Sequence, residues 1–291
     1  MRRVTVFAPA KINLTLDVAG KRPDGYHELR SVMHAVDLGD TLTVARRERP
    51  GIGLWLSDPE LPAGADNTVY KAAAALLALA GDPFGVEIRV DKRVPRQAGL
   101  AGGSADAAGT LVGINALLDG RFSAKELEAV AATVGADVPF CLRGGCALAE
   151  GIGEKLMTLP PLPAWTAILC KPPVGVSTPE AYRLVDGAKK DPATDRMLKA
   201  LKSGDPGGIG RALGNDFEAA LALPEVAAIR AAMERFSPLG SRMTGSGSAV
   251  YALFESDPPA RDCAAALDGM GEVFWCHPYA LGPTVVKEEE V

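Results

Sequence analysis

The chain has 291 residues, of which 47% are hydrophobic and 23% are charged, and its net charge at pH 7 is −5. This composition is typical of a globular protein with one large or two ordinary domains and excludes a disordered chain. The acidic balance argues against extended contact with nucleic acid or an anionic membrane, although it permits a local basic pocket for phosphates.

Cysteine usage and apolar runs indicate the compartment. The five cysteines include no C-x-x-C pair, which is typical of buried thiols in a reducing compartment rather than of disulfides or a metal site. The apolar run at residues 4–10 is too short for the core of a signal peptide, and the run at residues 72–80 is too short to span a membrane. We therefore expect a cytoplasmic protein with neither membrane nor nucleic-acid partners.

Residues 4–18 alternate between apolar and polar side chains, which predicts an extended strand. Period two places Lys11 and Asn13 on the same face, after the small residues Ala8, Pro9 and Ala10, which leave room for a ligand. A lysine in a strand is otherwise simply exposed to solvent, so both interpretations of Lys11 stay open.

A turn and a long alternating segment follow. Pro23-Asp24-Gly25 is a strong turn signal, and Tyr26 and His27 come directly after it. These two are either the first aromatic of a strand and a surface histidine, or a stacking face and a hydrogen-bonding ring beside the first strand. The alternation over residues 31–44 predicts one or two strands around a turn at Leu38-Gly39-Asp40.

Helix signals then lead to the centre of the sequence. Asp66-Asn67-Thr68 predicts an N-cap for a helix over residues 69–79, and residues 86–90 alternate as a strand. Lys92 follows this strand. A glycine-rich segment comes next, which we call the glycine loop: Pro95, Arg96, Gln97, Ala98, Gly99, Leu100, Ala101, Gly102, Gly103, Ser104 and Ala105.

The glycine loop precedes a segment in which Ala107, Leu111, Ile114 and Leu118 recur at helical spacing. Unpaired N–H groups and the helix dipole at such a junction favour an anion such as phosphate. Ser104 could cap this helix through its hydroxyl or turn the hydroxyl toward a phosphate or its metal, and neither role excludes the other. The spelling fits neither the P-loop nor the dinucleotide fingerprint, and a plain tight turn remains the alternative.

After the loop helix, Ser123 to Glu126 has the capping-box spelling and predicts a helix through Val134. Asp137 then lies among Ala136, Val138 and other apolar residues. It is either a turn or cap residue before proline, or a proton acceptor tuned by its apolar surroundings.

Three prolines between Leu159 and Pro163 predict a linker, because they can continue neither a helix nor a central strand. We therefore expect one domain over residues 1–160 and a second over residues 161–291. The second domain is predicted to contain a helix carrying Tyr182 and a glycine turn, Gly245-Ser246-Gly247, that runs into a strand. Residues 287–291 are predicted to be a disordered tail.

Three separated strings resemble, in order and spacing, the three motifs of the GHMP small-molecule kinases: Pro9 to Leu14, the glycine loop, and Thr244 to Gly247. The resemblance implies an α/β (α+β) fold of two domains, an N-terminal domain like ribosomal protein S5 and a ferredoxin-like C-terminal domain, with a cleft between them. It implies an ATP-dependent kinase with Mg²⁺ as the counter-ion of the nucleotide. The chain departs from the family's glycine loop at Ala98, Ala101 and Ala105. Ala101 lacks the freedom of glycine to adopt positive φ.

The resemblance also implies roles for individual residues. Asp137 matches the acid that accepts the proton of the substrate hydroxyl, and Lys11 matches the cation that orients this hydroxyl and stabilises the developing charge. The positions near the nucleotide are Asp66, Asn67, Lys92 and the glycine loop. The positions on the substrate side are Asn13, Tyr26, His27, Thr178, Tyr182, Gly245 and Ser246. No residue is assigned as a protein ligand to a metal.

Residues 24–29 and 135–140 resemble the branch of the family whose small-molecule substrate carries a cytidine diphosphate. Tyr26 and Tyr182 could then sandwich the cytosine while His27 reads its polar edge. The alternatives are a homoserine or mevalonate type of GHMP kinase and a non-catalytic member of the fold, although the latter should have lost Lys11 or Asp137. An RNA-binding role is disfavoured by the acidic charge balance.

Overall fold

The computed structural model describes residues 2–81, 84–186 and 191–290, which form two antiparallel-rich sheets and the helices that pack on them. The described strands are β1 (Arg2–Asn13), β2 (Thr15–Lys21), β3 (His27–Arg47), β4 (Ile52–Leu56), β5 (Gly85–Asp91), β6 (Cys146–Gly151), β7 (Lys155–Leu159), β8 (Thr166–Lys171), β9 (Gly214–Asn215), β10 (Gly240–Met243), β11 (Val250–Phe254), β12 (Glu272–Cys276) and β13 (Thr284–Glu290). The described helices are α1 (Thr68–Ala80), α2 (Gly102–Leu117), α3 (Ala124–Val134), α4 (Val138–Arg143), α5 (Thr178–Val185), α6 (Thr194–Ser203), α7 (Pro206–Ala212), α8 (Asp216–Leu221), α9 (Pro224–Glu234) and α10 (Asp257–Ala266).

The larger sheet is organised around β3, which pairs with β1, β2, β5 and β6. The turn predicted at Leu38-Gly39-Asp40 is wrong, because β3 runs through it without a break. Gly39 serves close packing instead. A Cβ on it would lie 2.5 Å from the backbone oxygen of Ala8 and 2.7 Å from the ring of Phe7.

The last described residues also belong to the larger sheet. β13 pairs antiparallel with β1, and the guanidinium of Arg3 lies 2.7 Å from the carboxylate of Glu289. The disordered tail predicted from Lys287 is therefore wrong over residues 287–290, because the free edge of β1 gives this segment a backbone partner; Val291 lies outside the described residues.

α1 and α2 cover one face of the larger sheet through small residues. Asn67 accepts a hydrogen bond from the N–H of Val69 at 2.8 Å, which confirms the predicted cap of α1. The capping box predicted at Ser123 for α3 is also present. In α2, Gly109 and Gly113 face the sheet. A Cβ on Gly113 would lie 2.7 Å from the side chain of Val44, so glycine allows α2 to approach β1 and β3 closely.

The smaller sheet has the antiparallel order β10-β11-β8-β12, and α9 and α10 contact it. The proline segment from Leu159 to Pro163 lies between β7 of the larger sheet and β8 of the smaller one. β9 and β13 follow this segment in the chain but pair within the larger sheet. The division at residue 160 stays a prediction.

Two general features of the chain follow from this packing. All five cysteines are free and buried, as the sequence predicts. Burial raises the pKa of each thiol, to about 12 for Cys146 and about 11 for Cys170 and Cys263, which keeps them neutral and unreactive. Within residues 2–81, 84–186 and 191–290, every helix falls short of the length and apolar character that crossing a bilayer requires.

Candidate active site

The glycine loop lies backbone against backbone on the second glycine turn. Gly99 has a φ of +74°, and a Cβ on it would lie 1.9 Å from the carbonyl oxygen of Thr244. The N–H groups of Ser248 and Ala249 donate to the carbonyl oxygens of Gln97 and Ala98 at 3.1 and 3.2 Å. Contact this close between two loops requires glycine, which explains Gly99 in one segment and Gly245 in the other.

α2 begins inside the glycine loop, earlier than the apolar spacing indicates. Its N-cap is Ala101, at a φ of +56° and without a capping side chain. Ser104 is the third residue of the helix, so the proposed capping role of Ser104 is wrong; the residue lines both cavities. The first N–H groups of a helix have no intrahelical partners, which makes this end of α2 a suitable site for an anion.

The N-terminus of α2 borders the larger of two adjoining cavities, with a volume of about 760 Å³. Its lining includes these predicted nucleotide positions: Asn67, Lys92, Pro95, Arg96, Gln97, Ala98, Gly99, Leu100, Ala101, Gly102, Gly103 and Ser104. Two predicted positions lie outside both cavities. Asp66 is exposed just before the cap of α1, and Ala105 belongs to α2 and is fully buried in the core.

Two of the predicted nucleotide contacts already have partners of opposite charge. The ammonium of Lys92 lies 2.5 Å from a carboxylate oxygen of Asp40 and 2.6 Å from one of Asp106. Arg96 pairs with Asp58 at 3.2 Å and with Glu60. Arg96 is still half-exposed, whereas Lys92 is almost completely enclosed.

Lys11 and Asp137, the predicted catalytic pair, come together across the cleft. The ammonium of Lys11 lies 3.8 Å from Asp137 and donates a hydrogen bond to Asn13 at 2.6 Å. The Lys11 side chain is 5% exposed, and the Asp137 side chain is 37% exposed. Asp137 precedes α4, to which it gives no capping hydrogen bond. Its carboxylate is therefore open to a ligand while its neighbour Lys11 is fixed.

The smaller cavity, about 560 Å³, is lined by Tyr26, His27 and Tyr182. The ring of Tyr182 stacks on His27, with centroids 4.9 Å apart and planes at 24°, and meets Phe217 edge-on. His27 is held there by a hydrogen bond between its Nε2 and Asp186 at 2.8 Å. One face of the Tyr182 ring is therefore covered by His27, and Tyr26 is 60% exposed at the rim of the cavity. The expected sandwich of Tyr26 and Tyr182 did not include this stacking of His27 on Tyr182.

The larger cavity is also lined by Tyr182 and by the remaining substrate-side positions: Asn13, Thr178, Gly245 and Ser246. The hydroxyls of Thr178 and Ser246 lie 3.0 Å apart, which links α5 to the second glycine turn. Ser104, Asp137, Thr178 and Tyr182 line both cavities. Leu29 and Pro179 also line both, so the two cavities share a stretch of wall that includes Asp137.

Several residues that shape the site escape the sequence analysis. Asn215 is recognisable as the cap of α8, yet its amide also donates to the carbonyl oxygens of Met243 and Gly245, each at 2.8 Å. Asp40 lies in the supposed turn, and Asp186 ends a helix with no local signal of function. The sequence signal for Asp106 was only that it is a polar residue directly after the glycine loop.

Comparisons with known proteins give a consistent result. A model of the GHMP kinases N terminal domain matches residues 67–145, and one of the GHMP kinases C terminal domain matches residues 197–273. A 4-diphosphocytidyl-2-C-methyl-D-erythritol kinase of Carboxydothermus hydrogenoformans is 45% identical, covering 97% of this chain and 99% of that protein. A protein of the same name from Listeria monocytogenes is 39% identical, covering 96% of this chain and 97% of that protein.

Solved structures agree. A crystal structure of 4-(cytidine 5'-diphospho)-2C-methyl-D-erythritol kinase is 37% identical with a TM-score of 0.80, covering 96% of this chain and all of that one. A homoserine kinase from Cytophaga hutchinsonii has a TM-score of 0.82 at 24% identity, covering 98% and 97% of the two chains, and supports the fold alone.

Proposed function

The chain belongs to the GHMP kinase family, and we propose that it transfers the γ-phosphoryl group of ATP to the 2-hydroxyl of 4-diphosphocytidyl-2-C-methyl-D-erythritol, a step of the methylerythritol phosphate route to isoprenoids. The observation that carries this proposal is that Asp137 lines both of two adjoining cavities. One cavity is bordered by the glycine loop and the other by aromatic rings, so a nucleotide and a base-bearing acceptor can approach the same carboxylate.

In the proposed reaction, the 2-hydroxyl oxygen bonds to the γ-phosphorus while the bond from that phosphorus to the bridging oxygen of ADP breaks. Asp137 accepts the hydroxyl proton, and Lys11 stabilises the negative charge that develops on the attacking oxygen. Asn13 supports this role because it fixes the ammonium of Lys11 by a 2.6 Å hydrogen bond. Phosphoryl transfer depends mainly on positioning and charge neutralisation, which a fixed lysine and an open carboxylate supply.

The magnesium ion that accompanies ATP supplies charge neutralisation on the phosphates. Within the described ranges, no three histidine, cysteine, aspartate or glutamate side chains are grouped so that they could hold a metal. The oxygen-bearing side chains where the cavities meet include those of Ser104 and Asp137. This sparse set fits an ion held mainly by phosphates and water, and these two residues would be its neighbours on the protein.

The second cavity favours a base-bearing acceptor over homoserine or mevalonate. Aromatic rings on the wall of a cavity, such as those of Tyr26, His27 and Tyr182, suit a planar nucleobase, whereas a small aliphatic acid offers them nothing to stack against. We place this reaction in the cytoplasm because five free, neutral thiols suit a reducing compartment.

A coupled ADP-release assay with the three acceptors, each supplied with ATP and Mg²⁺, tests the proposed function. We expect turnover with 4-diphosphocytidyl-2-C-methyl-D-erythritol at a kcat/KM at least a thousandfold above that with homoserine or mevalonate. Comparable turnover of homoserine or mevalonate would contradict the proposed acceptor while leaving the kinase chemistry intact.

Asp137→Asn tests the proton acceptor. The amide keeps the shape of the side chain but removes the base, so kcat should fall by roughly 10²–10⁴-fold, the usual contribution of general base catalysis. Equilibrium binding of ADP, measured by calorimetry, should change little. Turnover within a few-fold of the parent would mean that positioning alone drives the transfer.

A further inference from the structure

A buried ionic cluster lies directly beneath the glycine loop. The ammonium of Lys92 is bonded to Asp40 at 2.5 Å and to Asp106 at 2.6 Å. The side chains of Lys92, Asp40 and Asp106 are only 9%, 0% and 4% exposed, respectively. Buried charges persist in proteins when they are paired in this manner, and removing one partner is strongly unfavourable. We call these three residues the loop clamp.

The loop clamp holds the chain on both sides of the glycine loop. The second carboxylate oxygen of Asp40 accepts the N–H groups of Arg93 and Val94, at 2.5 and 2.8 Å, where the chain enters the loop. Asp106 belongs to α2, where the chain leaves it. Asp40 of β3 is therefore bonded directly to the start of the segment that borders the larger cavity, and through Lys92 to its end.

The loop also rests on the clamp. A Cβ on Gly102 would lie 3.0 Å from the side chain of Val94 and 3.5 Å from the ammonium of Lys92. Gly102, the first residue of α2, therefore packs directly against the loop clamp. Lys92 is thus placed to support the N-terminus of α2, which the proposed function assigns to the phosphates.

The charges in the clamp argue against Lys92 as a phosphate ligand. One ammonium faces two carboxylates, so the cluster carries no excess positive charge to offer an anion. Burial and the charge of Asp40 raise the pKa of Asp106. The Oδ1 atom of Asp106 is buried and has no hydrogen-bond partner among the described residues. If Asp106 were protonated and neutral, it would repel neither the carboxylate of Asp40 nor phosphates bound nearby.

We infer that Asp40, Lys92 and Asp106 position the glycine loop for ATP, and that Lys92 acts as a positioning residue through the loop instead of contacting the phosphates. The inference rests on the proposed binding of ATP at this loop. A positioning role and a direct phosphate contact of Lys92 predict opposite changes in ADP affinity when Asp40 is replaced.

Asp40→Asn is the first test, because Asp40 lines neither cavity and cannot touch a nucleotide bound there. The matched control is Asp17→Asn. Asp17 is also a buried carboxylate that accepts two backbone N–H groups, those of Ala193 and Thr194, and it lies outside both cavities. The measurements are the dissociation constant of ADP by calorimetry, and kcat and both KM values in the kinase assay.

If the clamp positions the loop, Asp40→Asn should raise the dissociation constant of ADP and the KM of ATP by about tenfold. The KM of the cytidyl substrate should stay within twofold, and Asp17→Asn should leave all of these constants within twofold of the parent. A direct phosphate contact predicts the opposite, since a Lys92 with one acidic partner fewer would bind ADP equally or more tightly. Either that result or an equal loss in Asp17→Asn would overturn the inference.

A second comparison uses Lys92→Met alone and together with Asp106→Asn. The single change leaves two carboxylates facing each other, whereas in the double variant the amide introduced at position 106 can donate to Asp40. The clamp therefore predicts at least tenfold weaker ADP binding in Lys92→Met and recovery to within threefold of the parent in the double variant. Equal loss in both variants would show that the ammonium itself contacts the phosphates. Failure of the parent to bind ADP would refute the proposed function instead.

Discussion

At the scale of single residues, Ala101 shows how the chain tolerates a departure from the family's glycine loop. A methyl group at this position was expected to oppose positive φ, yet the residue has a φ of +56° and caps α2. A left-handed conformation costs an L-residue roughly 1–2 kcal/mol, so the neighbouring contacts impose it. These contacts include the hydrogen bonds that bring the second glycine turn against Gln97 and Ala98.

Ala101→Gly should therefore stabilise the protein. Glycine removes the strain but adds about 0.4–1 kcal/mol of chain entropy to the unfolded state, so we expect a net gain of about 0.5–1 kcal/mol in the free energy of unfolding. Urea denaturation measures it. Ala222→Gly is the matched control, because Ala222 also has positive φ, +46°, and lies outside both cavities.

The control should gain similar stability, and the KM of ATP should change only in Ala101→Gly. A loss of stability in Ala101→Gly comparable to that of a glycine placed in a helix interior would contradict the strain.

Tyr182 permits a second prediction at this scale. Stacking of a base on an aromatic ring is worth about 1–3 kcal/mol, so Tyr182→Ala should raise the KM of the cytidyl substrate by about ten- to a hundredfold. Tyr182→Phe keeps the ring, which packs on His27 and Phe217, and should be nearly silent. Steady-state kinetics with each substrate varied in turn provide the measurement. An equal rise in the KM of ATP would indicate that Tyr182 only supports the core.

At the scale of elements, the sequence predicts those features that depend on contacts between residues close together in the chain, such as helix caps. The caps at Asn67 and Ser123 were predictable because a side chain there bonds to a backbone group two or three residues away. Gly39 was not, since the backbone oxygen that excludes its Cβ belongs to Ala8, on another strand. The pattern of one strand cannot distinguish a glycine that turns the chain from a glycine that admits a neighbour.

The packing of α2 on the sheet gives a prediction at this scale. Gly113→Ala improves helix propensity by about 1 kcal/mol, yet its methyl group would lie 2.7 Å from Val44 and 3.3 Å from Val6. Overpacking of a core costs typically about 1–3 kcal/mol, so after the gain in propensity we expect a net loss of up to about 2 kcal/mol.

Thermal and urea unfolding measure this loss. Gly64→Ala, where the added methyl group meets nothing within 4 Å, should be close to neutral. If Gly113→Ala instead raised stability, α2 would have more room above β1 and β3 than the structure gives it.

At the scale of the whole molecule, the site depends on contacts between segments that are distant in the chain. The motifs placed Lys11, the glycine loop and the second glycine turn at one cleft, and the structure brings Lys11, the loop as far as Ser104 and the second turn to it. The partners of Lys92 were not predictable, because Asp40 is 52 residues away and looks like a turn residue. The pairing of β13 with β1 is equally non-local, because it joins the two ends of the described chain. The sequence of β13 has no alternation that would distinguish this strand from a charged, disordered tail.

His34 connects the larger sheet to the proline segment and makes this connection sensitive to pH. It is 1% exposed, its Nε2 accepts the N–H of Leu162 at 3.1 Å, and its Nδ1 lies 2.7 Å from the carbonyl oxygen of Ala35. The two bonds fix a neutral ring with the proton on Nδ1, because a proton on Nε2 would face the N–H of Leu162. Burial lowers the pKa of His34 below its usual value near 6.5.

The sign of the pH effect follows from this lowered pKa. Below about pH 6.5 this histidine is protonated in the unfolded chain but stays neutral in the folded chain. The free energy of unfolding should therefore fall as the pH decreases, by up to about 1.36 kcal/mol per pH unit, until the pH reaches the pKa of His34 in the folded chain. His34→Gln cannot titrate and should show a flatter profile between about pH 7.5 and 5 in urea denaturation, even though its stability at the upper end of that range should be lower. His277→Gln, at a half-exposed histidine, corrects for the general effect of removing an imidazole. If the profiles of the parent and His34→Gln ran parallel while His277→Gln diverged, the acid sensitivity would belong to the surface and not to the contact that joins β3 to Leu162.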